Sequence, residues 1–157
     1  MSSVDVASQI VIQRPRDEVA AYAADPSNAP AWYVNIRSVE WESAPLLRVG
    51  ARMTFVAQFL GRRLRYTYEI AEFEPGSALT MRTAQGPFPM ETRYTWEAVE
   101  PGSTRMTLRN RGTPSGFSAL VAPILVPAMR RANRKDLERL RGLLEPARPV
   151  ILRTPTS

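Results

Sequence analysis

The chain has few side chains able to do chemistry, because its 157 residues include neither histidine nor cysteine. Ser-His-Asp and Cys-His catalysis, thiolate chemistry, disulfides and His- or Cys-based metal sites are therefore excluded. No carboxylate cluster has the spacing of an EF-hand loop, and GxGxxG and GxxxxGK[ST] are both absent. No metal and no cofactor is expected. What remains is carboxylates, tyrosines and arginines.

Strand parity sorts these. Glu69, Glu91 and Glu97 alternate with apolar residues and should face solvent. The opposite parity carries aromatic and sulfur side chains, with Thr83, Thr92, Asn110 and the phenols of Tyr66, Tyr68 and Tyr94. Phenols have reference pKa values near 10 and serve as hydrogen-bond donors at neutral pH. An ionised carboxylate buried here without a partner would be costly, and the strand pattern supplies none. The inward face is thus expected to be uncharged, suited to an apolar or aromatic molecule held by a few hydrogen bonds. Such a role calls for a void of several hundred cubic ångströms. For acid–base chemistry, Tyr33 and Arg37 form the cation–phenol pair to test first.

Alternation defines the elements that position these groups. Val6, Ser8, Ile10 and Ile12 share one parity, as in a strand with one buried face. Pro15 suits the first position of a helix whose first turn holds Asp17 and Glu18. Asp25 can cap a second short helix carrying Trp32 and Tyr33. From Ile36 to Gly112, turn signals at Gly50, Gly61, Pro75-Gly76-Ser77, Gly86-Pro87 and Pro101-Gly102-Ser103 separate strands that should pair as successive hairpins. Met53, Phe55, Ala57 and Phe59 share a face; so do Leu64, Tyr66, Tyr68 and Ile70; so do Leu79, Met81 and Thr83. Thr92, Tyr94, Trp96 and Ala98 follow, then Met106, Leu108 and Asn110.

Leu125, Met129, Leu137, Leu140 and Leu144 fall at helical spacing. Ser115 or Ser118 could cap this helix, and Pro123 and Pro127 should bend it or delay its regular part to about Pro127–Glu145. The segment Phe117 to Pro127 is then either a movable lid or a static kink. Residues 1–145 read as one domain and 146–157 as a loose tail.

The N-terminus lacks a signal-peptide pattern, and the longest apolar run, Ala119 to Met129, is too short to span a bilayer. A cytoplasmic protein with no transmembrane segment is expected. The net charge is +6, with Lys135 the only lysine. Much of the excess lies between Arg130 and Arg141, which reads as a solvated basic helix face, so nucleic acid is not an expected partner.

The order strand, two short helices, six strands, long helix resembles the helix-grip fold of the START/SRPBCC superfamily. The stretches Ile12 to Trp32, Arg48-Val49-Gly50, Gly86-Pro87-Phe88 and Lys135-Asp136-Leu137 resemble its polyketide cyclase/dehydrase-like branch. The resemblance implies an α+β domain: a curved seven-stranded antiparallel sheet wrapped around a long C-terminal helix. It also implies a cavity that binds a small hydrophobic molecule, whether aromatic, polyketide-like or lipid-like. Expected ligand contacts are Trp32, Phe55, Phe59, Tyr66, Tyr68, Met81, Phe88, Tyr94, Trp96, Leu108, Asn110, Leu120 and Ile124. Phe88 is either a gate or a plug, and Asn110 either a ligand contact or a strand-end hydrogen bond. Alternative functions are a polyketide cyclase/dehydratase-type enzyme, with no catalytic set mapped, and an interaction module using the basic helix face. The oligomeric state is open, a homodimer included.

Overall fold

The computed structural model describes residues 4–86, 89–113 and 122–145. Strand β1 (Val4–Ile12) is followed by helix α1 (Arg16–Ala24), a 3₁₀ turn (Pro26–Asn28) and α2 (Ala29–Trp32). Strands β2 (Ile36–Trp41), β3 (Arg52–Phe59), β4 (Arg62–Glu74), β5 (Ala78–Gln85), β6 (Met90–Glu100) and β7 (Ser103–Gly112) come next, then helix α3 (Ala122–Leu144). All strands join one antiparallel sheet in the order β1-β7-β6-β5-β4-β3-β2. The expected helix-grip architecture is present.

Register keeps the apolar parity on one face across the sheet. Phe55 lies opposite Tyr66, Ile70 opposite Met81, Leu79 opposite Tyr94, and Trp96 opposite Met106. A slip of one residue would turn every one of these outward. Register shifts in the β4–β5 pair, between Thr67 and Tyr68 and between Ile70 and Glu72, add the local bend that a curling sheet needs. One expected inward residue departs from the pattern. Ala98 is exposed, beside the register shift between Ala98 and Glu100.

The other face is laced by ion pairs. Glu91 joins Arg82 and Arg111 across β5, β6 and β7, Arg93 joins Glu72, and Arg109 grips both oxygens of Asp5. The core lies between the sheet and the helices. Trp32, Ile12, Leu79, Met106, Leu108, Leu137 and Leu140 are fully buried there.

Two helix boundaries differ from expectation. Helix α1 starts at Arg16, with Pro15 flanking it rather than opening it. Helix α3 starts at Ala122, five residues before the expected regular part. Pro123 then falls in the first turn, where its missing N–H costs no helical bond, while Pro127 is inside the helix. Asp25 does cap the 3₁₀ turn, accepting from the Ser27 amide at 2.9 Å. At the far end of α3, Arg14 Nε donates to the Leu144 carbonyl at 2.7 Å, and the Gln13 amide donates to Glu145 Oε1 at 2.8 Å. Phe88, Leu120, both serine caps, the first part of the lid segment and the tail lie outside the described residues. Among those described, no helix is long and apolar enough to cross a membrane.

Candidate functional site

A void of about 150 Å³ lies between the concave face of the sheet and α3. Its volume is below the expected several hundred, and comparable to a cavity that takes one benzene ring. Phe55, Ala57 and Phe59 from β3, Leu64, Tyr66 and Tyr68 from β4, and Met81 from β5 form one wall. Met90, Thr92 and Tyr94 from β6 and Asn110 from β7 form another. Helix α3 closes the space with Leu125, Met129, Ala132, Asn133 and Asp136, while Tyr33, Asn35 and Ile36 close the end beside α2.

Of the thirteen residues expected at a ligand site, Phe55, Phe59, Tyr66, Tyr68, Met81, Tyr94 and Asn110 line the void. Trp32, Trp96 and Leu108 are at most 2% exposed and sit in the core without lining it. Ile124 is 65% exposed on α3 and turns away, because Leu125 occupies the inward position of that turn. Phe88 and Leu120 lie outside the described residues.

The aromatic rings pack edge to face and offset. Tyr66 stacks on Phe55 at 5.5 Å between centroids, and Tyr68 meets Tyr66 edge-on at 5.0 Å. Trp32 lies behind Tyr33 and Tyr94, at 4.1 and 5.7 Å, and so fixes the pair from outside the void. Tyr33 and Tyr94 share a short hydrogen bond between their hydroxyls.

A second set of polar groups forms a directed chain. The Tyr68 hydroxyl donates to Thr92 Oγ1 at 2.8 Å, since the one Thr92 proton goes to Asn110 Oδ1 at 2.7 Å. Asn110 Nδ2 then donates to Asn133 Oδ1 at 3.1 Å, linking β4, β6, β7 and α3. Asn133 Nδ2 ends the chain, buried and without a partner among the described residues. Asn110 is thus bonded across strands and to α3, and it also lines the void.

Strand parity implies a space free of acids. Asp136 overturns this: it is 3% exposed and lines the void. Parity reports only on the sheet, and this carboxylate comes from the helix. The residues 125, 129, 132, 133, 136 and 140 lie on one helical stripe, so the spacing that marks Leu125, Met129 and Leu140 also marks Asn133 and Asp136. Asp136 Oδ1 accepts from the Val34 amide at 2.8 Å. Among the described residues, neither Asp136 Oδ2 nor the Tyr66 hydroxyl has a hydrogen-bond partner.

Burial pushes the Asp136 carboxyl up to about 7, against the lowering effect of the Val34 N–H and of Arg139. Burial also raises the phenols, Tyr68 to about 12 and Tyr33, Tyr66 and Tyr94 well above their ordinary value. At neutral pH the phenols are donors, and Asp136 is the one group lining the void that changes charge near pH 7.

The Tyr33–Arg37 pair does not form. Ile36 points inward, so its neighbour Arg37 points to solvent and reaches Gln58, while Tyr33 bonds Tyr94. Among the described residues no group of three or more acids could hold a metal ion. A larger outer groove of about 580 Å³ runs between α1 and the 43–50 loop, lined by Ala20, Ala24, Trp41, Leu46, Leu47 and Phe73. Its carboxylates, Asp17 and Asp25, are exposed, and it lacks the converging polar groups of the interior void.

Solved structures share this fold. TTHA0849 from Thermus thermophilus superposes with a TM-score of 0.77 at 19% identity, covering 89% of this chain and 96% of that one. The Zhui aromatase/cyclase from Streptomyces sp. R1128 gives 0.77 at 14% identity, with 91% and 94% covered. A START superfamily protein from Mycobacterium smegmatis gives 0.75 at 12% identity, with 89% and 96% covered. Among curated protein sequences none matches. The sequence model described as polyketide cyclase / dehydrase and lipid transport matches residues 3–145, and the chain, a START/SRPBCC-type domain, belongs to that family.

Proposed function

We propose that the interior void binds a small apolar molecule about the size of one aromatic ring, oriented by Asp136 and Tyr66. Supporting this is a single feature. Aromatic and sulfur side chains surround the space, and Asp136 Oδ2 and the Tyr66 hydroxyl, on two residues lining it, have no hydrogen-bond partner among the described residues. Apolar walls supply affinity in proportion to buried area, and the polar pair selects an occupant carrying an oxygen.

The test is ligand-induced stabilisation with phenol, benzaldehyde and toluene. Binding should raise the melting temperature of the wild type. It should fail in Ala57→Leu, whose added atoms enter the void. Absence of a shift with all three compounds would remove the reading.

A second reading is acid–base catalysis of the cyclase/dehydrase kind, favoured by one observation: Asp136 is buried, faces the void and titrates near neutrality. Such a carboxyl can take a proton from a carbon beside a carbonyl and return it to a departing hydroxyl. Turnover of a β-hydroxyketone that is lost in Asp136→Asn, with binding retained, would establish it. Binding without turnover leaves the protein a carrier.

A further inference from the structure

The β3–β4 connection is a two-residue turn: Phe59 pairs with Arg62, leaving Leu60 and Gly61 at the tip. Both tip residues have positive φ, 52° and 76°. Such turns match the twist of a hairpin and favour Asn-Gly, because a left-handed backbone crowds the Cβ of most residues. Leu60 is the only non-glycine among the described residues with positive φ. Its side chain is also 54% exposed, so burial within the protein does little to offset the strain. A leucine here is unfavourable twice over for folding alone.

A second exposed aliphatic side chain belongs to the same end of the molecule. Ile124 is 65% exposed. Its neighbour Leu125 and Leu60's neighbour Phe59 belong to one apolar cluster with Val4 and Val6. Both neighbours also line the void. The charge along these segments has one sign. No acid lies between residues 56 and 66, or between Glu100 and Asp136. Arg63, Arg65 and Arg130 are exposed, and none forms an ion pair among the described residues.

We propose that this end of the molecule docks on an anionic lipid bilayer, with Leu60 and Ile124 entering the headgroup region and the arginines meeting lipid phosphates. Exposed aliphatic groups flanked by cations are what an anionic interface rewards. A nucleic acid would use the charge but leave the strained, exposed leucine without a role. The proposal is independent of what the void binds.

The experiment is co-sedimentation with vesicles of phosphatidylcholine alone or mixed with phosphatidylglycerol. Binding is expected only to the mixed vesicles, weakening as salt is raised. Leu60→Asn places a residue suited to the turn, so it should keep or raise the melting temperature while lowering vesicle affinity about five-fold. Arg63→Gln and Arg65→Gln should each cost about five-fold. No binding to the mixed vesicles at low salt overturns the proposal, as does binding that Leu60→Asn leaves unchanged. Equal affinity for duplex DNA, equally insensitive to Leu60→Asn, would show a general polyanion surface and overturn it too.

Discussion

Asp136 Oδ1 accepts the amide proton of Val34 at 2.8 Å, fastening α3 to the segment that leads into β2. The bond uses one carboxylate oxygen and leaves the other toward a space walled by phenols and apolar groups. A group that holds two elements together is thus also the group best placed to meet an occupant.

That double role makes stability depend on pH in an unusual direction. The carboxyl is raised from 3.8 to about 7 in the folded protein, so between those values the folded state binds a proton that the unfolded state has lost. Its contribution therefore falls as pH rises from about 4 to about 7, by at most about 4 kcal/mol. Asp5, Glu72 and Glu91 are lowered by their arginine partners, so their contributions are lost only at more acid pH. Denaturation midpoints should decline from pH 5 to pH 8 in the wild type and run flat in Asp136→Asn. At pH 8 the variant should be the more stable of the two. A wild-type midpoint that rises over this range would refute the assignment.

The polar chain through Asn110 should be costly to cut. Asn110→Ala strands the Thr92 hydroxyl and exposes a second unpaired group on Asn133, for a loss of about 2–3 kcal/mol. Thr92→Val removes the middle link and should cost a similar amount. Since the groups form one network, the double variant should lose less than the sum, by urea denaturation.

The orientation of α3 is tested by two leucines three residues apart. Leu140 is fully buried in the core, and Leu143 is 52% exposed. Leu140→Ala should cost about 2–5 kcal/mol, Leu143→Ala under about 0.5 kcal/mol. Equal losses would mean a different helix face turned inward.

The ion pairs of the outer face should matter little individually. Asp5→Asn removes the charge and one of the two bonds from Arg109, yet the pair is roughly half exposed. Its small effect on stability should disappear as salt is raised.

Most of the fold can be read from alternation. Tyr66, Tyr68, Tyr94 and Trp96 face the interior as their parity requires, because each strand must bury one side and the turn residues fix where each begins. The site is only partly readable. Parity says which way a strand residue points, not whether it meets a void or another side chain. Trp96 and Leu108 therefore cannot be told from Tyr94 and Asn110. Asp136 is hidden by company: it sits among Arg130, Arg131, Arg134 and Lys135, and a run of cations draws attention to the solvent side of a helix. An apolar run alone points Ile124 inward, where the helical angle assigns that place to Leu125. The outer groove depends on how the 43–50 loop folds over α1, for which no periodic signal exists.

Strand β1 lies against β7, with Val4 opposite Gly112 and Ile12 opposite Thr104. On a ribosome making about 5–20 residues per second, the first strand emerges some 5–20 s before its partner has been made. Val4 and Val6 must stay uncovered through that interval, longer than domains of this topology usually need to fold once complete. Nascent chains of this protein should therefore recruit chaperones early, and a circular permutation that moves β1 to follow α3, so that it is made after β7, should relieve the need.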